Sequence, residues 1–374
     1  MLRSTLAAAT AAVAALILGA GPALAAGSWT VVPVPPGGGE ITGISAPTDT
    51  DAWAVGDVGT AAFIDHWNGT AWSPTTVPTF PCTGVRCYVH LFSVSASAST
   101  AWVLGAYSPK PGYQSFFTLS WNGSAWISGG NVGTAVDAVS PTLGYAVYDY
   151  AVDQWTAAGW SSMPTPPNPP FLVEGDLTTI SATSASNVWA VGTYDPAYTS
   201  QSYDNYSVHW NGSAWTEVAM PLPNNSSDPL LDYQINSIDA ISPTNVWAVG
   251  DSGDNVADFY ASGGGGTPAN TLIEHYNGTS WSIVPSPATG ANASLTGVTA
   301  TSAGNVTAVG SDTPAGATGP QSLIENWNGS AWTTVSSPAV GTSDVLNSVS
   351  TSPGAAIIWA AGSSSTASLL LQNG

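Results

Sequence analysis

The segment DSGDNVAD places three carboxylates close together, at Asp251, Asp254 and Asp258, beside a glycine-rich run. Carboxylate oxygens in a flexible loop are the ligands that Ca²⁺ prefers, although this spacing is not that of an EF-hand loop. A solvated acidic loop would have the same residues. The segment therefore has two interpretations, a calcium site and an acidic surface loop, and calcium is the only cofactor that the sequence suggests.

A second set of residues, four of them strongly polar, is defined by a shared position. Each directly precedes an extended segment rich in Ile, Val, Ser and Thr. The seven residues at this position are Glu40, His90, Val132, Asp176, Gln234, Ser294 and Val345. If the segments surround one axis, the two carboxylates, the imidazole and the amide among them converge at its rim. Such a rim could bind a divalent cation or a polar ligand; a hydrated rim without a ligand is the alternative.

Tyrosines are frequent in the longer connections between these segments. An exposed Tyr offers an apolar face and a hydroxyl, which suits contact with a glycan or a protein, whereas packing within the loop is the alternative. The tyrosines concerned are Tyr107, Tyr113, Tyr194, Tyr198, Tyr203 and Tyr260. Of these, we select Tyr107, Tyr113, Tyr198 and Tyr203 as candidate ligand contacts.

The remaining chemically distinctive residues have simpler interpretations. Cys82 and Cys87 are the only cysteines, and in an exported protein they predict a small loop disulfide; a metal pair or two free thiols are the alternatives. His66, His209 and His275 all stand directly before the aromatic residue of a repeated motif. This repetition indicates structural or surface residues. Asp65, Glu274 and Glu325 likewise share one register.

The elements that position these residues are internal repeats. WNGTAW begins at Trp67, WNGSAW recurs at Trp121, Trp210 and Trp327, and YNGTSW begins at Tyr276. A segment such as NVWAVG precedes each copy, and a segment such as LTTISA precedes that. The alternation and the β-branched residues predict four short strands per unit, here named a to d in chain order, with the Asn-Gly turn between c and d. Seven such units, with a period near that of kelch blades, predict an all-β chain with a single seven-bladed β-propeller of four-stranded antiparallel blades.

The two ends of the chain predict how the ring closes. The last unit has strands a, b and c and ends in LLLQNG, while the segment GSWTVV near the other end is a d-strand without a c-strand. Joined in space they reproduce the Asn-Gly hairpin, so the N-terminal strand is expected to complete the last blade. The 17 tryptophans all fall at b, c or d positions, which predicts packing between blades.

These units resemble the Trp-Asn-Gly (WNGxxW) repeats of secreted actinobacterial β-propeller proteins. They are also similar to kelch propellers and to sialidase propellers with an Asp-box. Gly69 and Trp72 match the Asp-box pattern, but Trp67 stands at its Asp position, and the kelch double glycine is absent. The resemblance implies a fold and no particular activity, because propellers host enzymes, lectins and scaffolds alike.

The lengths of the connections predict which face binds. The a–b and c–d turns share one face and are short and uniform. The b–c and d–a connections share the other face, vary in length, and include the candidate Tyr, Cys and Asp segments. Variable loops on a rigid scaffold are where binding residues concentrate, so the site is expected on this variable face.

Composition bounds the partners and the location. Residues 1–26 have a basic start, an apolar run and a small-residue end at Ala23-Leu24-Ala25, which predicts a signal peptide, with the propeller over residues 27–374 and a secreted, extracellular protein. Three Lys and Arg stand against 23 Asp and Glu, with a net charge of −20. Nucleic-acid binding needs many basic contacts to phosphate, so it is excluded. No membrane insertion is expected after cleavage, and we expect a monomer.

Three functional hypotheses follow. The first is a non-catalytic binding module for a glycan or an extracellular protein, with its ligand on the variable face. The second is a structural protein of the cell envelope or matrix. The third is a glycan-active hydrolase or lyase that uses carboxylates such as Glu40 and Asp176, since two carboxylates suffice for glycoside hydrolysis. No catalytic residue is assigned, and the sequence leans towards the first hypothesis.

Overall fold

The structure of the protein is a computed structural model. The structure describes residues 28–34, 39–81, 88–110, 113–130, 133–167, 175–194, 204–222, 231–254, 270–288, 290–365 and 367–374. Every regular element in these ranges is a β-strand, and the strands form seven four-stranded antiparallel sheets. The predicted seven-bladed propeller is therefore confirmed. These ranges contain no helix that could span a bilayer.

The strands of each blade follow one another in the order a, b, c, d. Blades 1 to 4 comprise β2 (Glu40–Thr48), β3 (Asp51–Val58), β4 (Ala61–Trp67) and β5 (Trp72–Pro74); β6 (Val89–Ser97), β7 (Thr100–Lys110), β8 (Tyr113–Trp121) and β9 (Trp126–Gly130); β10 (Ala135–Ser140), β11 (Leu143–Tyr148), β12 (Ala151–Thr156) and β13 (Gly159–Ser162); β14 (Gly175–Ser184), β15 (Asn187–Tyr194), β16 (Asp204–Trp210) and β17 (Trp215–Glu217). Blades 5 to 7 comprise β18 (Leu231–Ser242), β19 (Asn245–Asp254), β20 (Asn270–Tyr276) and β21 (Trp281–Ile283); β22 (Ala291–Ser302), β23 (Asn305–Thr313), β24 (Gln321–Trp327) and β25 (Trp332–Thr334); β26 (Asp344–Ser350), β27 (Ile358–Ser364), β28 (Ser368–Asn373) and β1 (Thr30–Val31).

The ring closes as expected from the two chain ends. β1 is the outer strand of blade 7 and pairs with β28, with Thr30 opposite Gln372 and Val31 opposite Leu371. One further backbone bond runs from Val32 N to Leu370 O at 2.9 Å. Trp29 is 5% exposed and packs into the core of this blade, so the first strand also contributes apolar burial.

Tryptophans fill the space between blades. The b-strand Trp53 of blade 1 contacts Trp121 and Trp126 of blade 2, with ring centroids 5.1 Å apart in both pairs. Trp102, Trp189, Trp247 and Trp359 repeat this arrangement at four other blade junctions. All five b-strand tryptophans are 3% exposed or less. The interpretation of the tryptophan pattern as packing between blades is therefore confirmed.

The Asn-Gly hairpin has a local cause that recurs in several blades. Asn68 Oδ1 accepts hydrogen bonds from the backbone N atoms of Thr70 and Ala71, both at 3.0 Å. Gly69 has a φ of 89°, a conformation that a residue with a Cβ adopts only at a cost. This turn fixes where strand c ends and strand d begins, and it places the two aromatic residues of the motif side by side.

The repeated histidines support the b-strand tryptophans. His66 stacks on Trp53 with centroids 4.1 Å apart, and its Nε2 atom bonds to Asp51 Oδ1 at 2.8 Å. His209 and His275 stack in the same way on Trp189 and Trp247. The structural interpretation of these histidines is confirmed.

Several segments predicted as loops belong to strands. Tyr107 lies within β7 and Tyr113 begins β8, so the connection of blade 2 is an extended hairpin. Asp251 and Asp254 lie within β19, which pairs with β18 as far as Leu231. Inner strands such as β18, which has 12 residues, are therefore longer than the short strands that the repeats predicted. Polar residues continue the ladder there because the backbone pairing does not require apolar side chains.

Candidate functional site

The rim residues lie at the beginning of the inner strands, at the end of the channel that faces the variable connections. The described members are Glu40 of β2, His90 of β6, Asp176 of β14, Gln234 of β18, Ser294 of β22 and Val345 of β26. Val132 lies outside the described residues. Glu40, Asp176 and Gln234 are exposed. The structure thus places the predicted residues around one opening, and which ligand they bind stays a prediction.

A half-buried carboxylate of blade 1 bonds to one of these residues across a blade junction. Asp57, at the end of the b-strand of blade 1, is hydrogen-bonded to His90 Nδ1 of blade 2. This bond, with the negative charges of Asp57 and Glu40, raises the pKa of His90 against the opposing effect of partial burial. The His90 side chain remains 41% exposed, so the ring is accessible to a ligand.

Sequence reasoning missed Asp57, although a signal was available. Asp57 follows the Trp-Ala-Val-Gly segment of blade 1, and Asp251 holds the same position in blade 5. Asp251 is also used between blades, because its Oδ2 atom accepts from Ser294 Oγ at 2.5 Å and from Asn236 Nδ2 at 3.0 Å. It is 3% exposed, and burial raises its pKa despite these bonds.

The three residues of the predicted calcium site lie in different parts of the structure or outside it. Asp251 lies inside the blade junction just described, Asp254 ends β19, and Asp258 lies outside the described residues. Among the ranges that the structure describes, no group of three or more His, Cys, Asp or Glu residues is arranged to hold a metal ion. The calcium site stays a prediction. So does the disulfide of Cys82 and Cys87, which also lie outside the described residues.

Aromatic rings extend from His90 across the variable face. Phe92 and Phe116 of blade 2 and Tyr148 of blade 3 form what we call the aromatic shelf. The ring centroids are 5.0 Å apart for His90 and Phe92, 6.0 Å for Phe92 and Phe116, and 6.3 Å for Phe116 and Tyr148. Tyr148 is 43% exposed and the two Phe rings are partly exposed. The shelf is therefore an accessible aromatic surface beside the rim.

The shelf interrupts a polar pattern of the inner strands. Phe92 sits at a β-bulge, and the corresponding bulge residue in other blades is Thr or Asn. Thr42 Oγ1 donates to Leu91 O of the next blade at 2.6 Å, and Thr296 Oγ1 donates to Leu346 O at the same distance. Phe92 cannot form such a bond. The aromatic residue after Leu91 stands where other blades have Thr or Asn. This difference was a signal for the shelf that could be read from the sequence.

Carboxylates lie on both sides of the shelf. On one side are Glu40 and Asp57 of blade 1; on the other are Asp149, next to Tyr148 in the chain, and Asp176 of blade 4. Burial, followed by the charge of Asp149, raises the pKa of Asp176. The aromatic shelf therefore has carboxylates in the blades on both of its sides. These carboxylates can accept hydrogen bonds from a ligand that stacks on the aromatic rings.

The four tyrosines selected from the sequence do not lie together in one described site. Tyr107 is partly buried and stacks on Phe80, with centroids 5.2 Å apart. The two rings line a groove of about 330 Å³ on blade 2, together with Pro78 and Phe117. Tyr113 pairs with Lys110 at the end of the β7–β8 hairpin. Tyr198 and Tyr203 lie outside the described residues.

A cavity lies at the other end of the channel. It measures about 670 Å³ and is lined by the second halves of the seven inner strands and by residues of the a–b turns. One register of these strands carries a polar residue in every blade. Its members, which we call the channel ring, are Ser45, Ser95, Asp137, Ser181, Asp239, Thr299 and Ser350.

Most members of the channel ring tie one blade to the next. Ser45 Oγ accepts from Ala96 N at 2.9 Å, and Asp137 Oδ2 accepts from Ala182 N at 2.7 Å. Burial raises the pKa of Asp137 to about 6. Burial and the charge of Asp137 raise the pKa of Asp239 to about 7. Sequence reasoning missed both carboxylates, although Asp replaces Ser in AVDAVS and SIDAIS when the a-strands are aligned.

Comparison with known proteins supports the fold. No protein-family model and no curated protein sequence matches the chain. Among solved structures, the WD40 β-propeller domain of Doa1 is similar with a TM-score of 0.50 and 12% identity, over 92% of this chain and 97% of that one.

Two similar structures belong to longer proteins. The GH74 xyloglucanase from Xanthomonas campestris has a TM-score of 0.54 and 13% identity over 90% of this chain and 53% of its own. Raptor from Chaetomium thermophilum has a TM-score of 0.54 and 9% identity over 90% of this chain and 28% of its own. This chain therefore matches about half and about a quarter of those two proteins. At such identities the likeness shows that this chain is a β-propeller.

Proposed function

We propose that the protein is a secreted, non-catalytic binding module that holds a neutral glycan on its variable face. The observation that carries the proposal is the aromatic shelf flanked by carboxylates. A sugar ring has an apolar face that stacks on an aromatic side chain, and hydroxyls that donate to acidic acceptors at its edge. Secretion is supported by the signal-peptide pattern of residues 1–26, and the Trp-Asn-Gly repeats support a relationship to secreted actinobacterial propeller proteins.

Charge favours a neutral glycan over an acidic one. The chain carries a net charge of −20, and His90, at the edge of the shelf, is bonded to the carboxylate of Asp57. An anionic sugar would meet this negative potential on approach, whereas a neutral sugar would not. A basic protein is the alternative occupant of the same face, and it would show as a partner that binds without any sugar.

Existing hydrogen bonds favour binding over hydrolysis. Asp57 is already bonded to His90, and Glu40 Oε1 accepts from Asn347 Nδ2 at 2.9 Å. A glycoside hydrolase needs one carboxyl group as acid and another as base or nucleophile. Here Glu40 and Asp57 of blade 1 join this blade to Asn347 of blade 7 and to His90 of blade 2, which suits a rigid platform for a ligand.

An array of neutral and acidic glycans, probed with the purified protein, tests the proposal. We expect binding to neutral glycans that is lost in Tyr148→Ala and kept in Ile283→Ala, an exposed apolar residue of an outer strand. A panel of glycosidase substrates should show no turnover. Turnover that disappears in Glu40→Gln or Asp176→Asn would replace the proposal by the hydrolase hypothesis, and silence on both assays would favour a structural protein.

A further inference from the structure

The channel ring lies in a cavity that has acidic groups and no positive charge. Asp137 of blade 3 and Asp239 of blade 5 line this cavity of about 670 Å³. The residues that line it, all within the described ranges, include no Lys, Arg or His. The ion pairs found in the described part of the chain are His66 with Asp51 and His90 with Asp57, both outside this cavity. The two carboxylates therefore face the cavity without a neutralising partner.

A third polar group in the ring has unused hydrogen-bonding capacity. Thr299 of blade 6 is 7% exposed and lines the same cavity, and its hydroxyl forms no hydrogen bond with another described residue. Its counterpart Ser350 in blade 7 accepts from Ala46 N at 2.9 Å. The Thr299 hydroxyl is therefore free to form a hydrogen bond with a molecule in the cavity.

The position of the carboxylates selects the kind of cation. Asp137 and Asp239 are separated by blade 4, whose ring residue Ser181 already accepts from Ala240 N at 3.0 Å. Both Asp137 oxygens are engaged as well, by Ser95 Oγ at 3.3 Å and by Ala182 N at 2.7 Å. A dehydrated metal ion needs several free oxygens at one point, whereas an alkylammonium or guanidinium group needs acceptors spread around it.

We propose that this cavity, at the face of the a–b turns, binds an organic cation between Asp137 and Asp239, with Thr299 as a further hydrogen-bonding group. The cation is an alkylammonium or guanidinium group, either of a free diamine or of a Lys or Arg side chain that enters the channel from a partner protein. Small residues such as Ala96 and Ala138 line the cavity, which leaves room for an extended side chain. This site is separate from the aromatic shelf and independent of the glycan proposal.

Isothermal titration of the purified protein tests the site, at about pH 8, where both carboxyl groups are ionised. The probes are 1,4-diaminobutane and an acetylated, amidated Gly-Arg-Gly peptide, with the citrulline peptide as neutral control. The variants are Asp137→Ser, Asp239→Ser and the double variant. Ser is the residue of neighbouring blades and keeps the bond between blades, so these variants should fold. Asp137→Asn and Asp239→Asn provide isosteric versions should a Ser variant unfold.

We expect at least one cationic probe to bind, the citrulline peptide to fail, and each single variant to lose affinity about tenfold or more. Binding of the diamine alone would assign a free polyamine, and binding of the peptide would assign a basic side chain. Glu217→Gln, which removes an exposed carboxylate of β17, should bind like the wild type. Equal binding by the double variant, failure of both probes, or binding of Ca²⁺ alone would overturn the proposal.

Discussion

Thr30, in the first described strand, lies directly opposite Gln372, in the last strand of the chain, within one sheet. This pairing makes blade 7 a joint product of the two chain ends. The ring is thereby held by backbone hydrogen bonds and by the burial of Trp29. The rim, the shelf and the channel all depend on this closure, because each is assembled from residues of different blades.

Closure predicts a large effect of a residue near the chain start. Trp29→Ala removes a side chain that is 5% exposed, so the free energy of unfolding should fall by about 3–5 kcal/mol. Val31→Ala, in the same strand but 49% exposed, should change it by less than about 0.5 kcal/mol. Urea unfolding followed by tryptophan fluorescence measures both. Equal effects of the two substitutions would show that the first strand does not complete the blade.

A buried carboxyl group predicts how stability depends on pH. Glu274 of blade 5 is 0% exposed, and burial raises its pKa from 4.5 to about 8, with Asn205 slightly opposing the shift. No hydrogen bond of ordinary geometry satisfies its carboxyl oxygens within the described residues. Because the folded state holds the proton more tightly than the unfolded state, the stabilisation is complete below pH 4.5 and is lost as pH rises towards about 8.

Glu274→Gln should remove this part of the pH dependence. A neutral amide needs no proton, so above about pH 8 the variant should be more stable than the wild type, by up to a few kcal/mol. Denaturation curves across this range measure the difference. Glu217→Gln, at an exposed position, is the control and should follow the wild type. A Glu274→Gln protein that loses stability at high pH as steeply as the wild type would contradict the assignment.

The pairing of His90 and Asp57 predicts a titration that NMR can follow. The bond to Asp57 is the largest cause of the raised His90 pKa, so Asp57→Asn should lower this pKa. Only four histidines are present, and His66, His209 and His275 serve as internal references. In the wild type the pair stabilises the fold fully below about pH 6.5, the ordinary histidine value, and this contribution disappears as pH rises through the higher folded value. An unchanged His90 titration in Asp57→Asn would disprove the coupling.

Much of the fold could be predicted because the same sequence pattern is repeated in each blade. Trp at the b, c and d positions, Asn-Gly at the hairpins and the incomplete units at both ends specify blade number, strand order and closure. Strand lengths were less predictable. The end of a strand such as β19 depends on backbone pairing with β18, and the polar residues Asp251 and Ser252 give no apolar signal there.

The site was only partly predictable, for a physical reason. The rim positions followed from the shared register of Glu40, His90, Asp176 and Gln234. What these residues contact depends on how neighbouring blades meet, which a repeat pattern does not describe. Asp57 reaches His90 across a junction, and Phe116 reaches Tyr148 across the next one. Departures from the repeat, such as Phe92 among polar bulge residues and Asp137 among serines, were the available signals.

The most direct test of the proposed function is a calorimetric titration of a neutral glycan, selected on the array, against the wild type and two variants. If the aromatic shelf is the platform, Tyr148→Ala should weaken binding about tenfold, and Ile283→Ala should leave it unchanged. Both substitutions remove an exposed apolar side chain, so they differ mainly in location. Equal affinity of Tyr148→Ala and the wild type would contradict a glycan site on the shelf.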